Sequence, residues 1–354
     1  MPLFRNSSLP FSFREEIGRL IVRFFLGMPL FVIDCGGRNL NQWFWDGPPS
    51  PVEKGHAPIG FHALAACSGG AFLRDMDELP KAPQTVLLLL RPQSLNKIYK
   101  LFKKLRAGRH RVIVSLKDLD TMQISETLQD VDTWRLFSKI VSHADAYLAP
   151  TYESIDLFVA AGAKRGSVIF TPYPLEYPEW NFSQFLANRS GVIVGTHEFN
   201  IASRQHLQAL TSLARSGIPA TVVNTGGRKG ESLISSISGN FRIIEGPLPY
   251  VKYLRLLANH RVVFQLDAGR DAGRVAGNAL LCRMPCVGGN GLVDRLVFPK
   301  ITNGNHSYIE SIKVLNELLT NDTFWTQTVE EAERIGLEKL AFAPIAAQIA
   351  KMIA

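Results

Sequence analysis

The residues best suited to chemistry lie in one stretch late in the chain, residues 261–289. The apolar residues at the start of this stretch predict a buried strand that ends at Leu266 or Asp267. A helix is predicted to begin near Gly273 or Arg274. A helix N-terminus has unpaired N–H groups and a partial positive charge, and a neighbouring glycine lets an anion approach the backbone closely. The spacing therefore predicts a phosphate-binding turn at the carboxyl end of a strand.

Two arginines flank this turn. Arg270 and Arg274 lie on either side of Gly273, and a guanidinium can donate two parallel hydrogen bonds to phosphate oxygens. A tight strand–helix turn with two surface arginines explains the same residues without any ligand. The segment alone therefore leaves both interpretations open.

The elements that must position this turn alternate between short apolar runs and helix-length stretches. Strands are predicted in the first half at Phe31–Cys35, Phe61–Cys67, Thr85–Leu90, Arg111–Leu116, Ala146–Ala149 and Ser167–Phe170. In the second half they are predicted at Gly191–Thr196, Ala220–Thr225, Phe241–Glu245, Arg261–Leu266 and Pro285–Gly288. Apolar strands that alternate with helices are typical of parallel sheets buried on both faces, so we expect an α/β protein. About eleven strands are too many for one compact sheet, which predicts two sheets, followed by helix over residues 307–354.

The best candidate for a linker is Pro172–Ser190, because its three prolines fit neither a helix interior nor a central strand. We predict an N-terminal Rossmann-like domain over residues 1–175 and a C-terminal one over residues 176–354. The last helix is a candidate to pack back on the first domain. Open α/β sheets bind ligands at the carboxyl ends of their strands, so a cleft between two such domains suits a ligand that both contact.

The order of these motifs resembles that of glycosyltransferases with the GT-B fold, especially the retaining glycosyltransferase family four. In that family a Glu-x7-Glu motif crosses the phosphate-binding turn, and here Arg270 stands at the first Glu and Asn278 at the second. The further matches are Gly273, Ala279, Pro285 and Val287. The motif is degenerate, since the frame is kept while both acids are replaced. Asn278 could still form a hydrogen bond with a sugar hydroxyl, without a charge.

Three further segments resemble the family in the same order. Residues 191–200 are similar to its Val-Gly-Arg-Leu opening, with Thr196 at the usual Arg and Arg204 as the nearest cation. Residues 112–119 and residues 143–154 match strand ends in the family's first domain. Together the matches span the bulk of the chain.

The resemblance implies a retaining transferase that moves a hexosyl group from a nucleotide-sugar to a glycan, a lipid-linked glycan or a protein. No metal is expected if the cations of the site stabilise the leaving diphosphate. The nucleotide-sugar is the substrate, and no cofactor is expected. The predicted donor-binding residues are Gly195, Thr196, Arg204, Arg228, Lys229, Arg270, Asp271, Gly273, Arg274 and Asn278. The candidate catalytic residues are Asp118 and Lys117, and the candidate acceptor contacts or opposite wall are Gly36, Gly37 and Arg38.

The formal net charge of +8 favours an anionic partner. Residues 96–111 carry seven Lys or Arg, a pattern that indicates either a solvated helix face or attraction to an anionic membrane surface. Nucleic acid is not expected as a partner, because no recognised binding motif accompanies the charge. The four cysteines form no Cys-x-x-Cys pair, and the N-terminus lacks the pattern of a secretory signal. We therefore expect a cytoplasmic protein, for which peripheral contact with the inner face of the membrane is one of the two interpretations of the basic residues.

Three alternatives remain open. A metal-dependent GT-A glycosyltransferase would use an Asp-x-Asp pair, and the candidates are Asp75/Asp77, Asp118/Asp120 and Asp130/Asp132. A non-hydrolysing sugar-nucleotide epimerase shares the two-domain shape. A sugar-nucleotide-binding or scaffold protein on the same fold would explain why the family's acids are missing.

Overall fold

The computed structural model describes residues 29–35, 59–117, 121–194, 202–302 and 307–354. They form two parallel-sheet α/β domains, which confirms the predicted fold class. Every strand pairing within the two sheets is parallel. The carboxyl ends of the strands therefore share one edge in each sheet.

Six strands form the first sheet: β1 (Leu30–Ile33), β2 (Phe72–Leu73), β3 (Thr85–Leu90), β4 (Arg111–Leu116), β5 (Ala146–Ala149) and β6 (Gly166–Val168). Their order is β2-β1-β3-β4-β5-β6. All six residues of β3 are buried, since its sequence TVLLLL is apolar on both faces. The helices of this part are α1 (Gly60–Cys67), α2 (Leu95–Ala107), α3 (Thr121–Leu128), α4 (Val131–His143) and α5 (Ile155–Ala160).

Five strands form the second sheet: β7 (Val192–Val194), β8 (Ala220–Asn224), β9 (Phe241–Glu245), β10 (Val262–Phe264) and β11 (Cys286–Val287). Their order is β11-β10-β7-β8-β9. The helices between and after them are α6 (His206–Arg215), α7 (Gly227–Ser236), α8 (Tyr250–Ala258), α9 (Arg274–Leu281) and α10 (Leu292–Val297). Three more helices follow: α11 (Tyr308–Thr320), α12 (Asp322–Lys339) and α13 (Phe342–Ile353).

One predicted strand is wrong: Phe61–Cys67 lies within the helix α1. Seven of the eight residues of α1 are buried, so the helix has no polar face that would reveal a period of 3.6 residues. The two-residue strand β2 was not predicted, because it is too short to show an alternating pattern.

The predicted linker packs tightly on the second domain. Tyr173 is 2% exposed and Trp180 is 1% exposed, and both belong to the hydrophobic core around the second sheet. Tyr173 also pairs with Ala341 in an isolated parallel bridge just before α13. The segment therefore packs on the core of the second sheet and pairs with the residue before α13, while the domain boundary at residues 175 and 176 stays a prediction.

The C-terminal helix α13 packs against α1 in the core of the first sheet. Phe342 and Ile349 of α13 share a buried cluster there with Leu64 of α1. The Glu176 carboxylate accepts hydrogen bonds from the N–H groups of Phe342 (3.2 Å) and Ala343 (3.0 Å) at the start of α13. A carboxylate at this end also suits the helix dipole. The chain thus returns to the domain in which it began.

The basic stretch forms α2, whose apolar face is buried by Leu95, Ile98, Leu101, Phe102 and Leu105. Its lysines and arginines are exposed, and Arg106 pairs with Asp145 at 2.5 Å. Among the described residues, no helix combines the length and apolar character needed to cross a bilayer. Contact of α2 with a membrane surface stays a prediction.

Candidate functional site

The predicted turn joins β10 to α9 at the carboxyl edge of the second sheet. α9 begins at Arg274, as the sequence predicted. Gly273 at the N-cap position has a φ of 75°, in the left-handed region that favours glycine. Gly273 has no side chain to cap the helix, so the first-turn N–H groups receive no hydrogen bond from a cap side chain. Such an end can bind an anion.

The loop before α9 is in backbone contact with the loop after β11. A Cβ on Gly291 would lie 2.4 Å from the Cα of Gly273, and a Cβ on Gly273 would lie 2.8 Å from the backbone N of Val293. A Cβ on Gly289 would lie 2.0 Å from Oδ1 of Asp294. Because Cβ atoms essentially never approach other atoms within 3.0 Å, this contact requires glycine on both loops. The start of α9 is therefore fixed by the neighbouring loop.

Arg204 holds the same turn from the other side. Its Nη1 donates to Oδ2 of Asp271 at 2.8 Å and also to Oδ2 of Asp267. Burial acts to lower the pKa of Arg204, but the two carboxylates raise it above its ordinary value. Burial raises the pKa of Asp267 to about 6 although Arg204 opposes this. The charge of Arg204 is thus compensated within the protein, and its predicted contact with a donor phosphate stays a prediction.

The second oxygen of each aspartate orders the loop backbone. Oδ1 of Asp267 accepts from the N–H of Gly269 at 2.8 Å, and Oδ1 of Asp271 accepts from the N–H of Gly273 at 2.7 Å. Asp271 is therefore a residue that shapes the turn. Its predicted contact with the donor is not tested by this geometry.

Asp294 lies beneath the two glycine loops and is 1% exposed. Burial, with smaller contributions from the nearby carboxylates of Asp271 and Asp267, raises its pKa to about 7. Nε2 of Gln265 donates to Oδ1 of Asp294 at 3.0 Å, while Oε1 of Gln265 is buried and has no hydrogen-bond partner within the described part of the chain. Protonation of Asp294 therefore relieves a repulsion among three carboxylates.

The other side of α9 faces two buried tyrosines. Asn278 is 1% exposed, and its Oδ1 accepts a hydrogen bond from the hydroxyl of Tyr250 at 2.7 Å. Burial raises the pKa of both Tyr173 and Tyr250, and the positive charge of Arg274 opposes this rise. Arg274 is thus close enough to influence these hydroxyls. One acceptor atom of Asn278 is already used inside the protein.

Arg270 is exposed and faces a carboxylate of the first domain. Glu153 follows β5, and its Oε1 accepts from Nη1 of Arg295 in α10 at 2.6 Å. Burial acts to raise the pKa of Glu153, but the hydrogen bond from Arg295, with a smaller contribution from Arg270, holds it below the ordinary value. This ion pair joins the carboxyl edges of the two sheets. Because the charge of Arg270 also acts on Glu153, Arg270 lies at the cleft between the domains.

Arg228 and Lys229 lie two strands away along the same edge. They are exposed in the first turn of α7, which begins at Gly227. The Asn224 side chain accepts from the N–H of Gly226 at 2.9 Å and so shapes the turn. The helix therefore presents both cations to solvent.

On the first domain, Lys117 follows β4 and is 7% exposed. Its Nζ lies 5.1 Å from the centre of the Phe61 ring, a cation–π contact. The remaining predicted residues lie outside the described ranges: Gly36, Gly37, Arg38, Asp118, Gly195 and Thr196. Their roles stay predictions.

Two of the three Asp-x-Asp pairs belong to helix starts. Asp75 accepts from the N–H of Met76 at 2.6 Å, and Asp130 accepts from the N–H of Thr133 at 2.8 Å. Both bonds are N-capping interactions. The third pair, Asp118/Asp120, lies outside the described residues, within which no cluster of His, Cys, Asp or Glu is arranged to hold a metal ion.

Sequence reasoning missed several residues of this site. They are Gln265, Asp267, Asp294, Glu153 and Arg295. Asp267 and Glu153 follow strands closely, which is the signal that could have indicated them. Asp294 and Arg295 lie on a short helix after the last strand and carry no such signal.

Solved structures with the same two-domain fold are known. HepE from Anabaena in complex with UDP-glucose is 13% identical, with a TM-score of 0.61 over 92% of this chain and 99% of that chain. The sucrose-phosphate synthase from Thermosynechococcus elongatus is 12% identical, with a TM-score of 0.62 over 92% of this chain and 98% of that chain. A trehalose-phosphate synthase from Burkholderia xenovorans is 11% identical, with a TM-score of 0.58 over 79% of this chain and 74% of that chain.

These neighbours are glycosyltransferases with the GT-B fold, and at such low identity the likeness shows the fold. The predicted arrangement of two Rossmann-like domains across a cleft is confirmed. No protein-family model matches the chain, and no curated protein matches its sequence. The resemblance to family four and its degenerate Glu-x7-Glu motif stays a prediction.

Replacing Gly273 with alanine tests the backbone contact. Gly217→Ala is the matched control, because Gly217 has a φ of 65° but nothing within 4 Å of the added Cβ. We expect Gly217→Ala to lower the free energy of unfolding by about 1–2 kcal/mol, the cost of a left-handed residue. Gly273→Ala should cost roughly 1–3 kcal/mol more because of overpacking. Equal losses in urea unfolding would show that the two loops do not touch.

Replacing Asp294 with asparagine tests the buried carboxylate. The folded-state pKa of about 7 lies above the ordinary value of 3.8, so the folded protein binds more protons between these values and stability falls as pH rises from about 4 to 7. The substituted amide side chain cannot ionise. Between pH 5 and pH 8, the free energy of unfolding of Asp294→Asn should therefore rise relative to the wild type by about 3 kcal/mol. A difference that does not change with pH would contradict the assigned burial.

Proposed function

We propose that the protein is a glycosyltransferase that takes a hexosyl group from a nucleoside diphosphate sugar and transfers it to an acceptor hydroxyl. The observation that carries the proposal is the turn at Gly273, where a helix N-terminus without a capping side chain lies beside Arg270 and Arg274. Parallel α/β sheets bind ligands at this edge. GT-B neighbours in complex with UDP-glucose and with UDP support a nucleotide-sugar donor.

In the proposed reaction, the bond between the anomeric carbon and the diphosphate oxygen breaks, and its electron pair leaves with the diphosphate. The anomeric carbon passes through an oxocarbenium-like state. Negative charge grows on the leaving group, where the N-terminus of α9, Arg270 and Arg274 stabilise it. Arg228 and Lys229 supply further positive charge along the edge. These cations take the place of a metal in our proposal.

The acceptor approaches from the first domain. Its hydroxyl oxygen forms the new bond to the anomeric carbon on the face that the diphosphate leaves, and its proton passes to a base, for which Asp118 is the candidate. Lys117 beside it orients the acceptor or the base. Gly36, Gly37 and Arg38 are the candidates for further contacts with the acceptor in our proposal. The acceptor is a glycan, a lipid-linked glycan or a protein, and the basic face of α2 would hold the enzyme at an anionic membrane surface.

A second function, binding a nucleotide-sugar without transfer, is favoured by one observation. At the position of the family's second Glu stands Asn278, which is 1% exposed and already accepts a hydrogen bond from Tyr250. A nucleotide-sugar bound here would thus lack the carboxylate contact that the family's second Glu would provide. The two functions differ in whether UDP is released from UDP-glucose when an acceptor is added.

Thermal unfolding with nucleoside diphosphates tests the donor site. A diphosphate at 100 times its Kd should add about 2.7 kcal/mol of stability, and EDTA should not reduce this gain. Arg274→Gln should weaken binding about tenfold, because it removes a charge-assisted hydrogen bond. Arg215→Gln is the control, since Arg215 is exposed at the end of α6, away from this edge.

Three results would contradict the proposal in different ways. If no nucleotide stabilises the protein, the donor site is refuted. If binding requires a divalent metal, the metal-independent mechanism is refuted. If Arg274→Gln and Arg215→Gln bind equally well, the diphosphate lies elsewhere.

A further inference from the structure

Three charged residues directly follow three neighbouring strands of the first sheet. Arg74 follows β2, Asp34 follows β1 and Arg91 follows β3, and these strands are adjacent in the order β2-β1-β3. Parallel pairing brings their carboxyl ends to the same edge, as shown by the hydrogen bond from the N–H of Asp34 to the carbonyl of Leu73 at 3.1 Å. The three side chains therefore meet although they are far apart in sequence.

Arg91 satisfies the buried carboxylate of Asp34. Asp34 is 1% exposed, and Arg91 donates to it through two bonds, from Nε to Oδ1 at 2.8 Å and from Nη2 to Oδ2 at 2.7 Å. A bidentate bond of this kind is the strongest arrangement of the two groups. Asp34 therefore has little capacity left for a second cation.

Arg74 is the cation that remains poorly compensated. Its Nη1 lies 3.5 Å from Oδ2 of Asp34, at the limit of a hydrogen bond, and its guanidinium carbon lies 5.0 Å from the centre of the Phe72 ring. Nη2 of Arg74 is buried and has no hydrogen-bond partner in the described part of the chain. Burial lowers the pKa of Arg74; the charge of Asp34 opposes this lowering, and the charge of Arg91 adds to it. A further anion would stabilise the charge of Arg74.

Lys97 adds an ammonium group at the same place. Its Nζ donates to the backbone carbonyl of Cys35 at 2.7 Å, directly after Asp34. Two further acids lie near, but their carboxylates accept hydrogen bonds from backbone N–H groups: Asp75 from Met76 at 2.6 Å, and Glu78 from Arg74 at 3.1 Å. The described cluster thus contains three cations and three acids, and all three acids are engaged within the protein.

We propose that Arg74 and Lys97, held in place by the Asp34–Arg91 pair, bind a phosphate or carboxylate group of the acceptor. The side chain of Arg74 is 27% exposed and that of Arg91 is 28% exposed, so a ligand can reach the cluster. The cluster lies on the edge that meets the second domain through Glu153 and Arg295. The word acceptor rests on the function proposed above, whereas the anion site does not.

The test is a titration with inorganic phosphate against potassium chloride of equal ionic strength, followed by thermal unfolding, with and without saturating UDP. The variants are Arg74→Gln and Lys97→Gln. Lys100→Gln is the matched control, because Lys100 is exposed one turn further along α2. The Kd for phosphate should rise about tenfold in Arg74→Gln and about threefold in Lys97→Gln, and it should not change in Lys100→Gln. Acetate in a parallel titration distinguishes a carboxylate site from a phosphate site.

The proposal would be overturned if Arg74→Gln bound phosphate and acetate with the same affinities as the wild type. It would also be overturned if the wild type bound neither anion. If Arg74→Gln does not fold, Lys97→Gln against Lys100→Gln decides the question, because both lysines are exposed. The measurements with UDP distinguish the anion site from the proposed donor site. A protein that binds phosphate through Arg74 but does not bind UDP has the anion site and lacks the donor site.

Discussion

The close approach of two backbone loops at the edge of the second sheet is the constraint on which the candidate site depends. Gly273 on one loop and Gly291 on the other leave no room for a Cβ between them. The contact fixes where α9 begins and which way its first N–H groups point. It also covers Asp294, whose side chain is consequently shielded from solvent. The shape of the turn at Gly273 and the high pKa of this carboxyl group have the same physical origin.

The arginines around this contact differ in their exposure to solvent. Arg204 lies inside, between Asp267 and Asp271, where its charge orders the loop. Arg270 lies outside, exposed at the cleft, where a ligand can use its charge. A diphosphate at the helix N-terminus would therefore meet exposed cations while the buried acids remain engaged within the protein. A proton on Asp294 would reduce the remaining repulsion.

Much of the fold could be predicted because the strands are continuous apolar runs. The β3 sequence TVLLLL is buried at every position, and the turn after β10 contains the glycine that its left-handed backbone requires. Helix α1 could not be predicted, because a helix buried on all sides shows no helical periodicity. A buried strand and a buried helix of about seven residues look alike in sequence.

The polar contacts of the site were harder to predict for a different reason. Arg91 lies 57 residues from Asp34, and Arg295 lies 142 residues from Glu153. Strand order decides which strand ends become neighbours, and a single sequence does not contain that order. Arg204 was predicted as a cation near the donor, but its two aspartate partners come from another loop, and only the fold brings them together.

The proposed function requires that the turn at Gly273 binds a diphosphate. A crystal structure of the protein with UDP tests this claim most directly. We predict that the diphosphate oxygens lie within hydrogen-bonding distance of the backbone N–H groups at the start of α9 and of the Arg270 or Arg274 guanidinium. A diphosphate bound at any other place, with this turn empty, would contradict the proposed donor site.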